Sequence, residues 1–208
     1  MADYTFYTNP MSRGQIARWA LHEVDADYEQ VLVDWKDKPA EFLEVNLMGK
    51  VPTIVHHAED GDHVITEAAA ICLYLAETHS EAGLLPHDDE RADYLRWTFF
   101  AAGPIEQSIT SRALKFEPEG QQQMMAGSGS FDRTMDTLEA MLDSRPYVCG
   151  ERFTMADVYV GSSVDWGLNF GILPPRPALV AYAERIQARP RYKAAKAVDN
   201  KLIEDAKK

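Results

Sequence analysis

The sequence is short of cysteine, of basic residues and of long apolar runs, and each shortage removes a class of protein. Two cysteines, Cys72 and Cys149, are too few for a disulfide framework and lack metal-ligand spacing. A reducing, cytoplasmic setting fits best. No apolar stretch approaches the length of a membrane span. The opening residues, Met1-Ala2-Asp3-Tyr4-Thr5-Phe6, have neither the basic nor the apolar region of a secretory signal. Lys and Arg number 21 against 33 Asp and Glu, a formal charge of −12, and residues 1–80 alone hold five basic against fourteen acidic side chains. Such a surface repels nucleic acid and anionic lipid, so neither is an expected partner. An anionic small ligand would need locally placed cations in this first part of the chain. The six histidines show no HExxH arrangement, so a metal is not expected, and there is neither a GxSxG elbow nor a Gly-rich phosphate loop.

What is present is the composition of a globular protein with a real core, 46% hydrophobic and 26% charged. The first eighty residues alternate strand and helix signals. Tyr4–Tyr7 is a short aromatic, β-branched strand, broken by Asn9-Pro10. Ile16, Trp19 and Ala20 then recur at helical spacing, with Ser12 as the expected N-cap. Residues 28–33 read as a second strand, and residues 39–45 as a short helix begun by proline. A strand from Pro52, a turn over 59–62, a short strand Val64-Ile65 and a helix over 66–79 follow. The order βαβαββα predicts a small mixed sheet flanked by helices. Beyond Pro86 the strand signals stop. Residues 90–114, 131–142, 155–169 and 177–189 read as helices, and the polar stretch 117–130 reads as a loop or a frayed helix end. The expected organisation is an α/β domain over 1–80 followed by an all-α domain over 86–208.

Four local features carry candidate chemistry. At Tyr7–Leu21 a strand ends and a helix begins near Ser12, so a hydroxyl and helix N–H groups share one space, although Ser12 as a cap and Tyr7 as a sheet aromatic explain the same residues. At Val51-Pro52 the residue before proline is held extended. A cis bond there would turn the Val51 peptide groups outward to pair with a peptide-like ligand; a trans proline at a strand start is the plainer alternative. At Ile65–Ala70 a strand runs into a helix whose first N–H groups suit a carboxylate, with Glu67 beside them for an amino group; an acidic first helical turn accounts for the same pattern. At residues 150–161, Thr154 and Asp157 have the spacing of a capping box and Phe153 that of a staple onto Val158, a helix-nucleating device with no catalytic role.

These features in this order resemble the cytosolic glutathione transferase family, over nearly the whole chain. Lys50-Val51-Pro52 is similar to its "K/Q-V-P" loop. Thr66 to Leu75 resembles its "ES-x-A-I-x-x-Y-L" segment, Phe153 to Asp157 its "F-S/T-x-A-D", and Val180 to Ala194 its closing helix pattern. The resemblance implies a thioredoxin-like N-terminal domain with a cis-proline strand, then a helical domain. It implies glutathione as co-substrate, a hydrophobic electrophile as acceptor, and a homodimer. Carried over, the Val51 main chain beside Pro52 pairs with the cysteinyl part of glutathione. Glu67 and the N–H of Ala68 hold its γ-glutamyl end, and Lys38 and Lys50 face its glycyl carboxylate. Three of the domain's five cations, Arg13, Lys38 and Lys50, would then stand at the anionic ligand.

The implied chemistry is thiolate addition, helped by a hydroxyl that donates to the sulfur near a helix N-terminus. Asn9-Pro10-Met11-Ser12 resembles the "x-P-x-S" loop of Ser-type members and nominates Ser12. An ungapped match through Arg18-Trp19 places Tyr7 at the tyrosine of Tyr-type members, with Arg13 as supporting cation. The helix-start position favours Ser12. Two departures stand out: the family's usual Ser after the Glu is Ala68, and Asn9 replaces the Cys of Cys-type members, which disfavours exchange through a protein thiol. Met11, Arg112 and Trp166 are expected to line the acceptor pocket between the domains. The competing expectations are a non-enzymatic interaction module on the same fold, which Ala68 favours, and glutathione-dependent peroxidase or isomerase work at the same site.

Overall fold

A computed structural model describes residues 2–207 of the chain. In chain order its elements are β1 (Tyr4–Thr8), α1 (Gly14–Glu23), β2 (Tyr28–Leu32), α2 (Ala40–Val45), β3 (Thr53–Ala58), β4 (Gly61–Thr66) and α3 (Ala68–Thr78). There follow α4 (Arg91–Phe100), α5 (Glu106–Ala113), α6 (Gln122–Met125), α7 (Phe131–Asp143), α8 (Met155–Asn169), α9 (Pro177–Gln187) and α10 (Pro190–Asp205). They form two compact units, Met1–Gly83 with Ala188–Lys208, and Leu84–Gln187.

In the first unit the sheet order is β2-β1-β3-β4, with β1 parallel to β2 and both β1–β3 and β3–β4 antiparallel. This is the mixed sheet that the βαβαββα order predicts, and the thioredoxin-like arrangement that the family resemblance implies. Alternation along β1 divides its side chains between two faces. Tyr4 and Phe6 are buried on one side. Tyr7 points to the other, into an apolar cluster with Val33, Phe42 and Val55, where its ring stacks on Phe42 at 5.1 Å. Phe42, with Val45 beside it, holds α2 to the sheet, and losing a fully buried phenyl there would cost about 3–5 kcal/mol.

The closing helix α10 packs on α1 through several pairs. Arg18, fully buried, donates from Nε to Asp199 Oδ1 at 2.9 Å and from Nη1 to the Tyr28 hydroxyl at 3.0 Å. Arg189 grips both oxygens of Glu23, at 2.8 and 2.6 Å, and Trp19 meets Tyr192 edge-on with ring centroids 5.0 Å apart.

Several boundaries differ from the sequence reading for definite reasons. Strand β4 is longer than Val64-Ile65, because it pairs with β3 from Ala58↔Gly61 to Thr53↔Thr66. The helix expected over 66–79 therefore starts at Ala68. The helix expected over 90–114 is interrupted by a wide turn, Ala101–Ile105, that contains Pro104. Proline has no N–H to give and crowds the preceding turn, and a one-turn widening relieves both. The stretch 117–130, read as a loop or a frayed helix end, is loop around the short α6.

The second unit is all helical among its described residues, apart from a single bridge between Tyr147 and Gly150. Among the described residues, its most densely hydrogen-bonded helix start is that of α8. Thr154 and Asp157 form the capping box the spacing predicts, with Asp157 Oδ2 accepting from Thr154 N–H at 2.8 Å. Asp157 Oδ1 also accepts from Val148 N–H at 2.7 Å and from the Tyr182 hydroxyl at 2.9 Å. Phe153 meets Tyr147 edge-on. No helix among the described residues is long and apolar enough to cross a membrane.

Candidate functional site

The register of the sheet decides where the site is. Thr53 pairs with Tyr7 on one side and with Thr66 on the other. The end of β1, the beginning of β3 and the end of β4 are therefore neighbours, spaced by about 5 Å per strand. Three segments leave the sheet at this one end: Asn9 to Ser12, Val51-Pro52, and Glu67-Ala68. All three were singled out in the sequence.

The first segment is ordered by its own side chains. Asn9 Nδ2 donates to the Val33 carbonyl at 2.9 Å, and Asn9 Oδ1 accepts from Met11 N–H at 2.9 Å. Ser12 Oγ donates to the Asn9 carbonyl at 2.6 Å and accepts from Gly14 N–H at 2.9 Å. Helix α1 begins at Gly14, with Arg13 in the cap position, so Ser12 lies one residue before the N-cap expected of it. Its oxygen still serves a helix N–H. Gly14 is needed for this approach: a Cβ there would lie 2.1 Å from Thr8 Oγ1, 3.0 Å from Ser12 Oγ and 3.2 Å from the Asn9 carbonyl.

Tyr7 is buried, and among the described residues its hydroxyl has no hydrogen-bond partner. Burial, with the Glu41 carboxylate adding to it, pushes that hydroxyl above its ordinary pKa. Tyr7 therefore stays protonated and is a reluctant acid.

In the second segment the Val51–Pro52 peptide bond is cis. Asn46 organises the approach to it. Its Nδ2 donates to the Lys50 carbonyl at 2.9 Å and to Thr53 Oγ1 at 3.0 Å, while its Oδ1 accepts from Met48 N–H at 3.0 Å. The Val51 side chain packs against the Tyr7–Phe42 cluster. No hydrogen bond engages its main-chain N–H or C=O among the described residues. Lys50 is exposed, and Lys38 Nζ reaches to 3.0 Å from where a Cβ on Gly49 would be. Two cations thus flank the Gly49-Lys50 turn.

In the third segment Glu67 has φ 65° and ψ 120°, outside the ordinary regions for a residue with a Cβ. Such a conformation costs about 1–3 kcal/mol. It turns the chain from β4 into α3 with the Glu67 side chain exposed and Ala68 buried at the helix start.

Of the remaining candidates, one lies on the first segment and two on helices of the second unit. Met11 is 63% exposed on the first loop. Arg112, on α5, is paired with Glu117 at 3.0 Å and lies over the Phe131 ring. Trp166, on α8, meets Phe170 edge-on. Both cysteines are buried, and burial pushes the Cys72 thiol far up and the Cys149 thiol up to about 11, which disfavours either as a nucleophile. No group of three or more possible metal ligands occurs among the described residues.

Asn9 and Asn46 do more here than the sequence reading gave them. Each bonds the N–H two residues on, and Asn at a strand or helix end is the signal for that turn.

Two family models match the chain: the N-terminal domain of glutathione S-transferase over residues 2–77, and its C-terminal domain over residues 92–190. Among curated relatives, a glutathione S-transferase of Schizosaccharomyces pombe is 28% identical, covering 93% of this chain and 95% of its own length. The disulfide-bond oxidoreductase YfcG of Escherichia coli is 29% identical, covering 88% and 90%. Among solved structures, a glutathione transferase from Methylococcus capsulatus is 30% identical with a TM-score of 0.78, covering 95% of this chain and 98% of its own. A sphingomonad glutathione S-transferase complexed with glutathione is 28% identical with a TM-score of 0.75, covering 94% and 98%.

Proposed function

The chain belongs to the glutathione S-transferase family, and from that premise we propose that it binds glutathione at this sheet end and adds the thiolate to a hydrophobic electrophile. The observation that carries the reading is Val51: an unengaged main-chain N–H and C=O at a cis-proline turn, between the Ser12 loop and the Glu67 helix start. A tripeptide laid along Val51 would add a short strand and take up both groups.

The other subsites follow from charge. The α-amino group of the γ-glutamyl end takes the exposed Glu67 carboxylate, and its α-carboxylate takes the N–H groups at the start of α3. The glycyl carboxylate takes Lys38 and Lys50. The thiol then lies toward the Ser12 loop. Free thiols of pKa about 8.5 are mostly protonated at neutral pH, so the site must favour the anion. Ser12 is the proposed donor. Gly14 N–H already donates to its oxygen, which polarises the hydroxyl. Turning its proton from the Asn9 carbonyl to the sulfur trades a neutral acceptor for an anionic one. Arg13 adds a nearby positive charge. Tyr7 is the alternative donor, and its burial against Phe42 argues for a packing role.

Met11, Arg112 and Trp166 are proposed for the electrophile pocket, and a cytoplasmic homodimer as the working form. Peroxidase or isomerase chemistry would use the same thiolate and differ only in the acceptor. The experiment is retention on immobilised glutathione, followed by conjugation to a generic aryl halide, for wild type, Ser12→Ala and Tyr7→Phe. Retention and turnover that fall with Ser12→Ala support the proposal. No retention and no turnover in wild type overturns it, and loss confined to Tyr7→Phe moves the role to Tyr7.

A further inference from the structure

Gln15, in the first turn of α1, has both ends of its amide engaged. Nε2 donates to the Pro10 carbonyl at 2.6 Å, and Oε1 accepts from Lys196 Nζ at 2.7 Å. An ammonium has donors and no acceptor, so Lys196 fixes the amide: Oε1 must face it, and Nε2 is left for Pro10. Pro10 sits in the middle of the Asn9–Ser12 loop. The carbonyl just before it, that of Asn9, is the one that receives the Ser12 hydroxyl proton.

Lys196 is itself well placed to hold that amide. It lies on α10 between Tyr192 and Asp199, the residues that meet Trp19 and Arg18 of α1. Its Nζ lies 5.5 Å from the Tyr192 ring centroid, and its charge acts on Asp199. The buried Arg18–Asp199 pair and the two-pronged Arg189–Glu23 pair fix α10 along α1. A chain of contacts therefore runs from the last helix through one amide to the loop that carries the candidate thiol donor.

We propose that Lys196, acting through Gln15, is a positioning residue for this loop. It holds the Pro10 carbonyl, and through it the peptide whose neighbouring carbonyl Ser12 must release in order to donate to sulfur. The catalytic part of this inference rests on the glutathione reading above. Without Lys196 the Gln15 amide is free to rotate, and the loop loses its tie to α10. The glycyl and γ-glutamyl subsites lie on other segments, so the effect falls on the thiol and on kcat, with the KM for glutathione little changed.

The test compares wild type with Lys196→Met, Lys196→Arg, Gln15→Leu and the Lys196→Met/Gln15→Leu double variant. Two quantities are read: amide hydrogen exchange at Met11 in the ligand-free protein, and the pH dependence of thiolate absorbance of bound glutathione. The expected result is exchange several-fold faster at Met11 in Lys196→Met and Gln15→Leu. The bound thiol should also hold about threefold less thiolate at neutral pH, a shift of about half a pKa unit. The double variant should be no worse than either single one, and Lys196→Arg should restore both readouts. Exchange at Met11 and a thiol pKa that match wild type in Lys196→Met overturn the proposal. If wild type fails to bind glutathione, the functional reading falls, and the exchange arm alone still decides whether Lys196 orders the loop.

Discussion

Ser12 has one proton to give, and in the ligand-free chain it goes to the Asn9 carbonyl. A hydrogen bond to a charged group is worth about 1.5–3 kcal/mol, or about one to two pKa units on the thiol. Ser12→Ala should therefore reduce thiolate at neutral pH by about 10- to 100-fold, read as the pKa of bound glutathione, while Tyr7→Phe leaves it within a factor of a few. Ala68 gives the converse experiment. Restoring a hydroxyl beside the γ-glutamyl carboxylate with Ala68→Ser should tighten glutathione about 2- to 10-fold by calorimetry, from a bond of about 0.5–1.5 kcal/mol. Looser binding would mean that this carboxylate lies elsewhere. Gly14→Ala puts a methyl 2.1 Å from the buried Thr8 hydroxyl. Overpacking of this kind costs about 1–3 kcal/mol, so the denaturation midpoint should drop. The same methyl crowds Ser12 Oγ and the Asn9 carbonyl, and glutathione handling should fall with it. At this scale the residue types at the site were legible because proline, Asn-Pro and a strand-to-helix Glu are rare local signals. The hydrogen bond of Gln15 to Lys196 was not, since its partner lies 181 positions away and is brought up only by folding.

Elements were legible where their signal is local. The period of β1, the capping box of α8 and the amphipathic α7 all stand in the sequence. The limits of β4 and the interruption of α4–α5 do not, because the first is set by pairing with β3 and the second by how a helix accommodates Pro104. The capping box also carries a pH dependence. Burial pushes the Asp157 carboxyl up to about 6 against its hydrogen bonds. A raised carboxyl pKa contributes stability that is fully present below the unfolded value near 4 and is lost as pH rises through about 6, a change of about 3 kcal/mol. His22 and His56, held down by burial, work in the opposite sense below about pH 6.5. The Asp157 contribution is therefore read as a difference. Urea midpoints from pH 4 to 7 should lose this component in Asp157→Asn. That variant should also be weaker at every pH, since its amide NH2 would confront backbone and hydroxyl donors. Parallel curves for the two proteins would contradict the assignment.

For the whole molecule, the family and its two-part architecture could be read from ordered motifs, each weak by itself. Nothing in the sequence of Pro190–Asp205 announces that α10 packs on α1. That packing depends on Arg18 and Asp199, two charges 181 positions apart that are both buried. Removing one partner of a buried pair costs about 3–5 kcal/mol, whereas apolar replacement of both is often neutral. Asp199→Ala should be strongly destabilised in urea, and Arg18→Met with Asp199→Leu should recover much of the loss. Above all, we propose that the sheet end holding Ser12, Val51 and Glu67 binds glutathione and ionises its thiol. The most direct test is to titrate glutathione into the protein and follow thiolate absorbance against pH. Saturable binding is expected, with a bound-thiol pKa at least about one unit below the free value near 8.5. No binding, or a bound thiol that titrates where the free one does, would contradict it.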